Sequence, residues 1–179
     1  MAIKKSQLYS ALWEGCNALR GGMDASQYKD YVLTILFLKY ISDKQKANPG
    51  STLYTIPEGC TFDDVARLKN NSNIGDELNK ILAKVGREFM DDDQFFRESD
   101  FNDSQKLGSG KDLVDTVSAL IGEFQRPGLD FGQNRAADDD LIGDAYEFLM
   151  RKFAQHSGKS KGQFYTPAEA SRLAAELLD

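Results

Sequence analysis

Apolar residues recur at Leu8, Leu12, Cys16 and Leu19, with Trp13 flanking the stripe, a spacing that predicts an amphipathic helix stopped by Gly21-Gly22. Asp24 followed by Gln27 reads as a capping box, and the helix it opens can run to the Asn48-Pro49-Gly50 breaker. From Tyr31 to Ile41 that helix is apolar nearly all round, the pattern of a central helix wrapped by others. A short extended piece is expected at Leu53 to Ile56, ending at Pro57. Thr61 with Asp64 should cap a short helix through Leu68. Ile74, Leu78, Ile81, Leu82, Val85 and Phe89 make one clean helical face, and Leu113, Val117, Leu120, Ile121 and Phe124 make another, closed by Pro127-Gly128. The polar, interrupted stretch from Asp91 to Gln105 reads as loop.

After Asp138-Asp139-Asp140, whose carboxylates suit the positive end of a helix dipole, Leu141, Ala145, Tyr146, Leu149 and Phe153 predict a further helix that frays near Ser157. Gly158-Lys159-Ser160-Lys161-Gly162 then reads as a basic hinge. Beyond it Thr166 is a good N-cap, Pro167 suits the first helical position and Glu169 completes a capping box. The apolar positions Ala170, Leu173, Ala174, Leu177 and Leu178 are still repeating at Asp179. The expected fold is all-α: a compact multi-helix domain over residues 1–155, then residues 156–179 as a hinge and the first helix of a second domain.

Two stretches carry a resemblance. One is Gly162-Gln163-Phe164-Tyr165-Thr166-Pro167 preceded by Leu141-Ile142-Gly143-Asp144-Ala145-Tyr146-Glu147-Phe148-Leu149. The other runs from Leu12-Trp13 through Leu19-Arg20-Gly21 and Met23-Asp24-Ala25-Ser26-Gln27-Tyr28-Lys29 to Phe37-Leu38-Lys39-Tyr40-Ile41-Ser42-Asp43. Together, in this order, they resemble the modification (methyltransferase) subunit of bacterial type I restriction-modification systems. The resemblance implies that the second domain is an α/β S-adenosylmethionine-dependent methyltransferase domain. Intact, the subunit would methylate the exocyclic amino group of adenine in a target chosen by a specificity subunit. It also implies two modification subunits with one specificity subunit, a restriction subunit joining for cleavage, and a helical domain that serves assembly and DNA clamping.

Composition narrows the alternatives. Hydrophobic content of 41% and charged content of 28% are ordinary for a globular chain. The run Tyr31 to Ile41 is about half a bilayer span and contains Thr34 and Lys39, so no membrane partner is expected. The N-terminus lacks an apolar signal region, which points to the cytoplasm. A net charge of -6 argues against a free-standing nucleic-acid binder. The charge is uneven, however: +3 over residues 1–47, -9 over 48–140 and 0 over 141–179. DNA contact at the two ends within an assembly is compatible with that distribution.

Candidate chemistry is sparse. Lys111 is followed by Asp112 where a phosphate loop needs Ser or Thr, and Gly158-Lys159-Ser160 has Phe153 in place of the first glycine. Asp91-Asp92-Asp93 lacks the glycine of a calcium loop, with Phe96 in its place. His156 is the only histidine, so metal clusters and hydrolytic triads have almost nothing to draw on, and no metal is expected. Cys16 and Cys60 read as core residues. Arg151, Lys152, Lys159 and Lys161 form a basic patch that suits nucleic acid or an acidic partner, and equally an ordinary solvated face. Residue types alone favour a helix cap and a packed aromatic pair for Gln163 to Thr166. The resemblance implies instead that Gln163, Phe164, Tyr165, Thr166 and Pro167 line the S-adenosylmethionine pocket, with Thr166 near the amino acid end. A carboxylate suits such a helix N-terminus. No Asn-Pro-Pro-aromatic motif and no Pro-Pro pair occur, so no catalytic residue is assigned and these 179 residues alone are expected to be inactive. The alternative is a self-contained helical adaptor that binds a protein without a cofactor.

Overall fold

The computed structural model describes residues 3–20, 23, 25–50, 55–92, 96–133 and 141–156. These form helices α1 (Lys5–Ala18), α2 (Ala25–Ala47), α3 (Phe62–Arg67), α4 (Ile74–Met90), α5 (Ser104–Leu107), α6 (Lys111–Phe124) and α7 (Leu141–His156), with 3₁₀ turns at Arg97–Ser99 and Phe131–Gln133. No strand occurs among the described residues, and the all-α expectation holds. Asp24 of the first capping box, the Gly21-Gly22 stop, Leu53, Asp138 to Asp140 and everything from Ser157 onward lie outside the described residues.

The helix predicted to be central is central. Tyr31, Val32, Ile35, Leu36, Leu38 and Ile41 of α2 are buried, and α1, α3, α6, α7 and both 3₁₀ turns pack on it. Burial of each large side chain contributes about 1.5–3 kcal/mol, so the buried residues of α2 are a substantial part of the domain's cohesion. Gly15 lets α1 approach α6 closely: a Cβ there would lie 3.2 Å from Leu120 Cδ1. The cap of α3 forms as its sequence implies, Asp64 N–H donating to Thr61 Oγ1 at 3.3 Å and Thr61 N–H donating to Asp64 Oδ2 at 2.9 Å. The Thr61 hydroxyl donates to the Asp64 carboxylate at 2.5 Å, and that bond, with the Thr61 N–H and Arg67 alongside, holds the Asp64 carboxyl below its usual range.

Two expectations need correction. The stretch from Asp91 to Gln105 is not simply a solvated loop, because it carries the turn Arg97–Ser99 and the start of α5, and Phe101 is fully buried. Phe101 meets the Tyr31 ring edge-on at 5.1 Å, while Tyr31 Oη donates to Asp100 O at 2.9 Å and Thr34 shares a 2.8 Å hydrogen bond with Ser99. Two buried residues, Ser99 and Phe101, anchor an otherwise largely exposed segment without period, and hydrogen bonds from α2 hold it there. The second correction is Tyr146, expected on the apolar face of α7. It is 50% exposed, and Phe148 takes the buried place.

Two further joints on α2 secure neighbouring segments. Ser42 Oγ donates to Leu38 O and accepts from Phe62 N–H at 2.8 Å, which fixes the start of α3. Asp43 accepts from Lys39 Nζ at 2.7 Å and from Phe131 N–H at 3.0 Å, which fixes the second 3₁₀ turn. The Lys39 and Asp43 side chains are only 13% and 11% exposed, and burial raises the Asp43 carboxyl above its usual 3.8 despite those bonds.

At Gly75 a Cβ would land on the carbonyl oxygen of Phe101 and 2.9 Å from Asn102 Oδ1. Backbone cannot rotate away, so Gly75→Ala should lower stability by about 1–3 kcal/mol, read from the urea midpoint. The raised Asp43 carboxyl means that the folded state binds the proton more tightly than the unfolded one. Its destabilising effect is absent below the unfolded value and grows as pH rises to the folded one. The stability of Asp43→Asn relative to wild type should therefore rise with pH from about 4 upward, and a flat difference in denaturation curves would refute it.

Candidate functional site

The described members of the basic patch lie on α7. Arg151 is exposed; Lys152 turns inward, its Nζ 5.5 Å from the Trp13 ring centre and 5.8 Å from that of Phe148. Arg20 comes to 5.1 Å from the same Trp13 ring. Trp13 therefore draws together two cations from distant parts of the sequence, a favourable arrangement for an indole. Lys159, Lys161 and the segment Gln163, Phe164, Tyr165, Thr166 and Pro167 lie outside the described residues, as does the side chain of His156. The structure thus joins Lys152 to Arg20 and Trp13, and neither of those was singled out from the sequence as a site residue.

The Trp13 contact is one of three along a seam between α1 and α7. Lys5 Nζ lies 2.6 Å from Asp144 Oδ2, the Tyr9 and Phe148 rings stack at 4.4 Å with planes 2° apart, and Lys152 sits over Trp13. Lys5, Tyr9 and Trp13 are four residues apart, and so are Asp144, Phe148 and Lys152. Four-residue spacing puts each set on one helix face, and matching them in the same order means that α1 and α7 run parallel. Behind these contacts Leu141, Ala145, Leu149 and Phe153 enter the core. The signal for the seam is in the sequence as two matched i, i+4, i+8 triplets, but only contact between the helices shows which triplets pair.

A cleft of about 390 Å³ between α4 and the 96–100 turn is lined by Asp76, Asn79, Lys80, Phe96, Arg97 and Asp100. Lys80 pairs with Asp76 and Glu77, and Asn79 donates to Asp100 at 2.6 Å. Cys16 and Cys60 are buried and free, and burial pushes the Cys16 thiol up to about 12, which removes it as a nucleophile. Among the described residues no cluster of His, Cys, Asp or Glu is placed to hold a metal. No helix among them is long and apolar enough to cross a membrane. The one site-like arrangement in the described residues is the cation and aromatic cluster at the C-terminal end of the seam.

Comparison with known proteins places a family boundary beside this seam. The family described as HsdM N-terminal domain matches residues 8–124, and the family described as N-6 DNA Methylase matches residues 137–179. The chain is 27% identical to the Type I restriction enzyme MpnII methylase subunit of Mycoplasma pneumoniae, over 93% of this chain and 38% of that protein. It is 28% identical to the Type I restriction enzyme EcoKI methylase subunit of Escherichia coli, over 98% of this chain and 31% of that protein. It also superposes on the crystal structure of a type I restriction-modification system methyltransferase subunit from Streptococcus thermophilus. That match has a TM-score of 0.66 and 25% identity, covering 95% of this chain and 43% of the other. The chain thus spans 31–38% of the length of these two curated relatives.

Because the protein has a single tryptophan, fluorescence reports the seam directly. Lys152→Met keeps an apolar stem over Trp13 and removes the charge. It should lower stability by about 0.5–1 kcal/mol in urea titration followed by tryptophan emission, and an unchanged midpoint would rule out a stabilising role for the cation.

Proposed function

The chain belongs to the HsdM N-terminal domain family, and from that premise we propose that it is the N-terminal part of the modification subunit of a type I restriction-modification enzyme. Intact, that subunit transfers a methyl group to the exocyclic amino group of adenine in DNA, in a sequence chosen by a specificity subunit. S-adenosylmethionine supplies the methyl group. Residues Gln163, Phe164, Tyr165, Thr166 and Pro167 are assigned to its pocket because they fall within the stretch that matches the N-6 DNA Methylase family and carry the resemblance described above. Residues 1–155 are the assembly and DNA-clamping domain, and residues 156–179 open the methyltransferase domain. The partners are DNA, the specificity subunit, a second modification subunit and the restriction subunit, in the cytoplasm. These 179 residues alone are inactive.

The single observation that carries this reading is that α7 belongs to both halves. It lies in the stretch matching the methylase family, yet its buried face completes the core of the domain matching the N-terminal family. A helical domain fused in this way to the entrance of a methyltransferase fits a part that positions DNA and partners for the catalytic domain. Exposed Arg151, with Lys159 and Lys161, supplies positive charge next to that entrance.

A subunit of the relatives' full length that begins with this sequence tests the reading. With a specificity subunit it should transfer methyl groups from S-adenosylmethionine to adenine, and it should bind the cofactor in titration calorimetry. A subunit that folds and binds no cofactor would favour the helical adaptor instead. Removing residues 1–155 should abolish assembly or weaken DNA binding. Arg151→Gln should reduce the slope of log affinity against log salt by about one, and an unchanged slope would remove this residue from the DNA contact.

A further inference from the structure

Helix α7 has a second edge that the core does not use. Ile142, Tyr146 and Met150 follow one another at four-residue spacing beside the buried face. Ile142 packs partly against the core and Met150 is partly exposed, while Tyr146 is 50% exposed and is the one large hydrophobic side chain exposed among the described residues. A single exposed apolar residue is ordinary on a protein surface. Its position here is not, because the same helix lies within the stretch that matches the N-6 DNA Methylase family, and the relatives continue well past the part that this chain covers.

The geometry points to the Ile142–Tyr146–Met150 edge as the docking surface for the body of the methyltransferase domain in the full-length subunit. This rests on the functional reading above, and adds to it the residues through which the two domains meet. The occupant is part of the same polypeptide and begins at the C-terminal end of α7. A tethered partner is present at an effective concentration in the millimolar range, so a narrow apolar edge suffices to hold it. Tyrosine suits the place, since its ring gives apolar area and its hydroxyl finds a partner at a polar rim. With one face in the helical core and the adjacent edge against the catalytic domain, α7 transmits the orientation of one to the other.

The test uses thiol accessibility. Cys16 and Cys60 are buried, so Tyr146→Cys introduces an accessible thiol on this edge, and Ala119→Cys at an exposed position of α6 is the control. Each variant is labelled with a maleimide in the 179-residue chain and in the full-length subunit, with modification read peptide by peptide by mass spectrometry. Labelling at position 146 should slow by about tenfold in the full-length subunit while position 119 is unchanged. Equal rates at position 146 in the two proteins overturn the proposal. So does protection that appears only when a specificity subunit is added, or that grows with the concentration of the 179-residue chain, since another chain is then the occupant. Methyl transfer by the wild-type full-length subunit is measured separately. Protection without transfer sinks the functional reading and keeps the docking surface, whereas transfer without protection sinks the docking surface alone.

Discussion

The domain depends on one constraint: a helix buried on nearly every side must satisfy the backbone groups of the irregular segments that lie against it. An orphaned buried peptide group costs about 1–3 kcal/mol, comparable to the gain from burying one large side chain. Helix α2 meets this demand with three polar side chains set among its apolar ones, and Thr34 adds a side-chain bond to Ser99 Oγ. Tyr31 and Thr34 hold the segment around Ser99 and Asp100, Ser42 holds the first residue of α3, and Asp43 holds the turn at Phe131. Each side chain is part of α2's rigid hydrogen-bonded rod, so the loops inherit its order. The polar atoms that interrupt its apolar pattern are what let short, aperiodic segments pack against it.

That constraint also explains what could be read from the sequence. Helices with a clear period were legible: α1, α2, α4 and α6 lie where Leu8, Tyr31, Ile74 and Leu113 begin their stripes, and the Thr61 cap formed as its residue types require. Phe101 was not legible, because it stands alone between polar residues and nothing local says that Tyr31 and Thr34, far back in the chain, will receive its segment. Tyr146 and Phe148 show the other limit. Period alone makes Tyr146 a core residue of α7, but the face that a helix buries is set by its neighbour. Tyr9 of α1 offers a flat ring where Phe148 can stack. The candidate site was half legible: the basic residues of α7 stood out, while Arg20 and Trp13 joined them only through tertiary contact.

Parallel packing of α1 and α7 has a topological consequence. Parallel neighbours cannot be joined by a tight turn, so the chain between them must travel the length of the domain and return. Helices α2 to α6 make that journey and form the rest of the core on the way. The acidic excess of residues 48–140 falls within this return path and not on the seam helices. Charge and topology therefore separate an acidic body from the seam, and the chain leaves the body at the end of α7 beside the Trp13 cations.

The three contacts of the seam differ in what they contribute, and their magnitudes decide their roles. The Lys5–Asp144 pair is 54% and 26% exposed at its side chains and is screened by salt, so it contributes about 0–1 kcal/mol. The Tyr9–Phe148 stack adds about 0.5–1.5 kcal/mol beyond its burial, and the Lys152–Trp13 contact about 0.5–1 kcal/mol. Burial of Leu141, Phe148, Leu149 and Phe153 exceeds all three together. Adhesion of α7 is therefore hydrophobic, but hydrophobic contact alone tolerates sliding. A slip of one helical turn, about 5.4 Å, would set Lys5 opposite Phe148 and Tyr9 opposite Lys152, losing the ion pair and the stack while retaining much of the apolar contact. The polar and aromatic contacts thus select the register among alternatives that burial hardly distinguishes. For a helix that is itself the described part of the stretch matched by the methylase family, register fixes how that part is seated on the helical core.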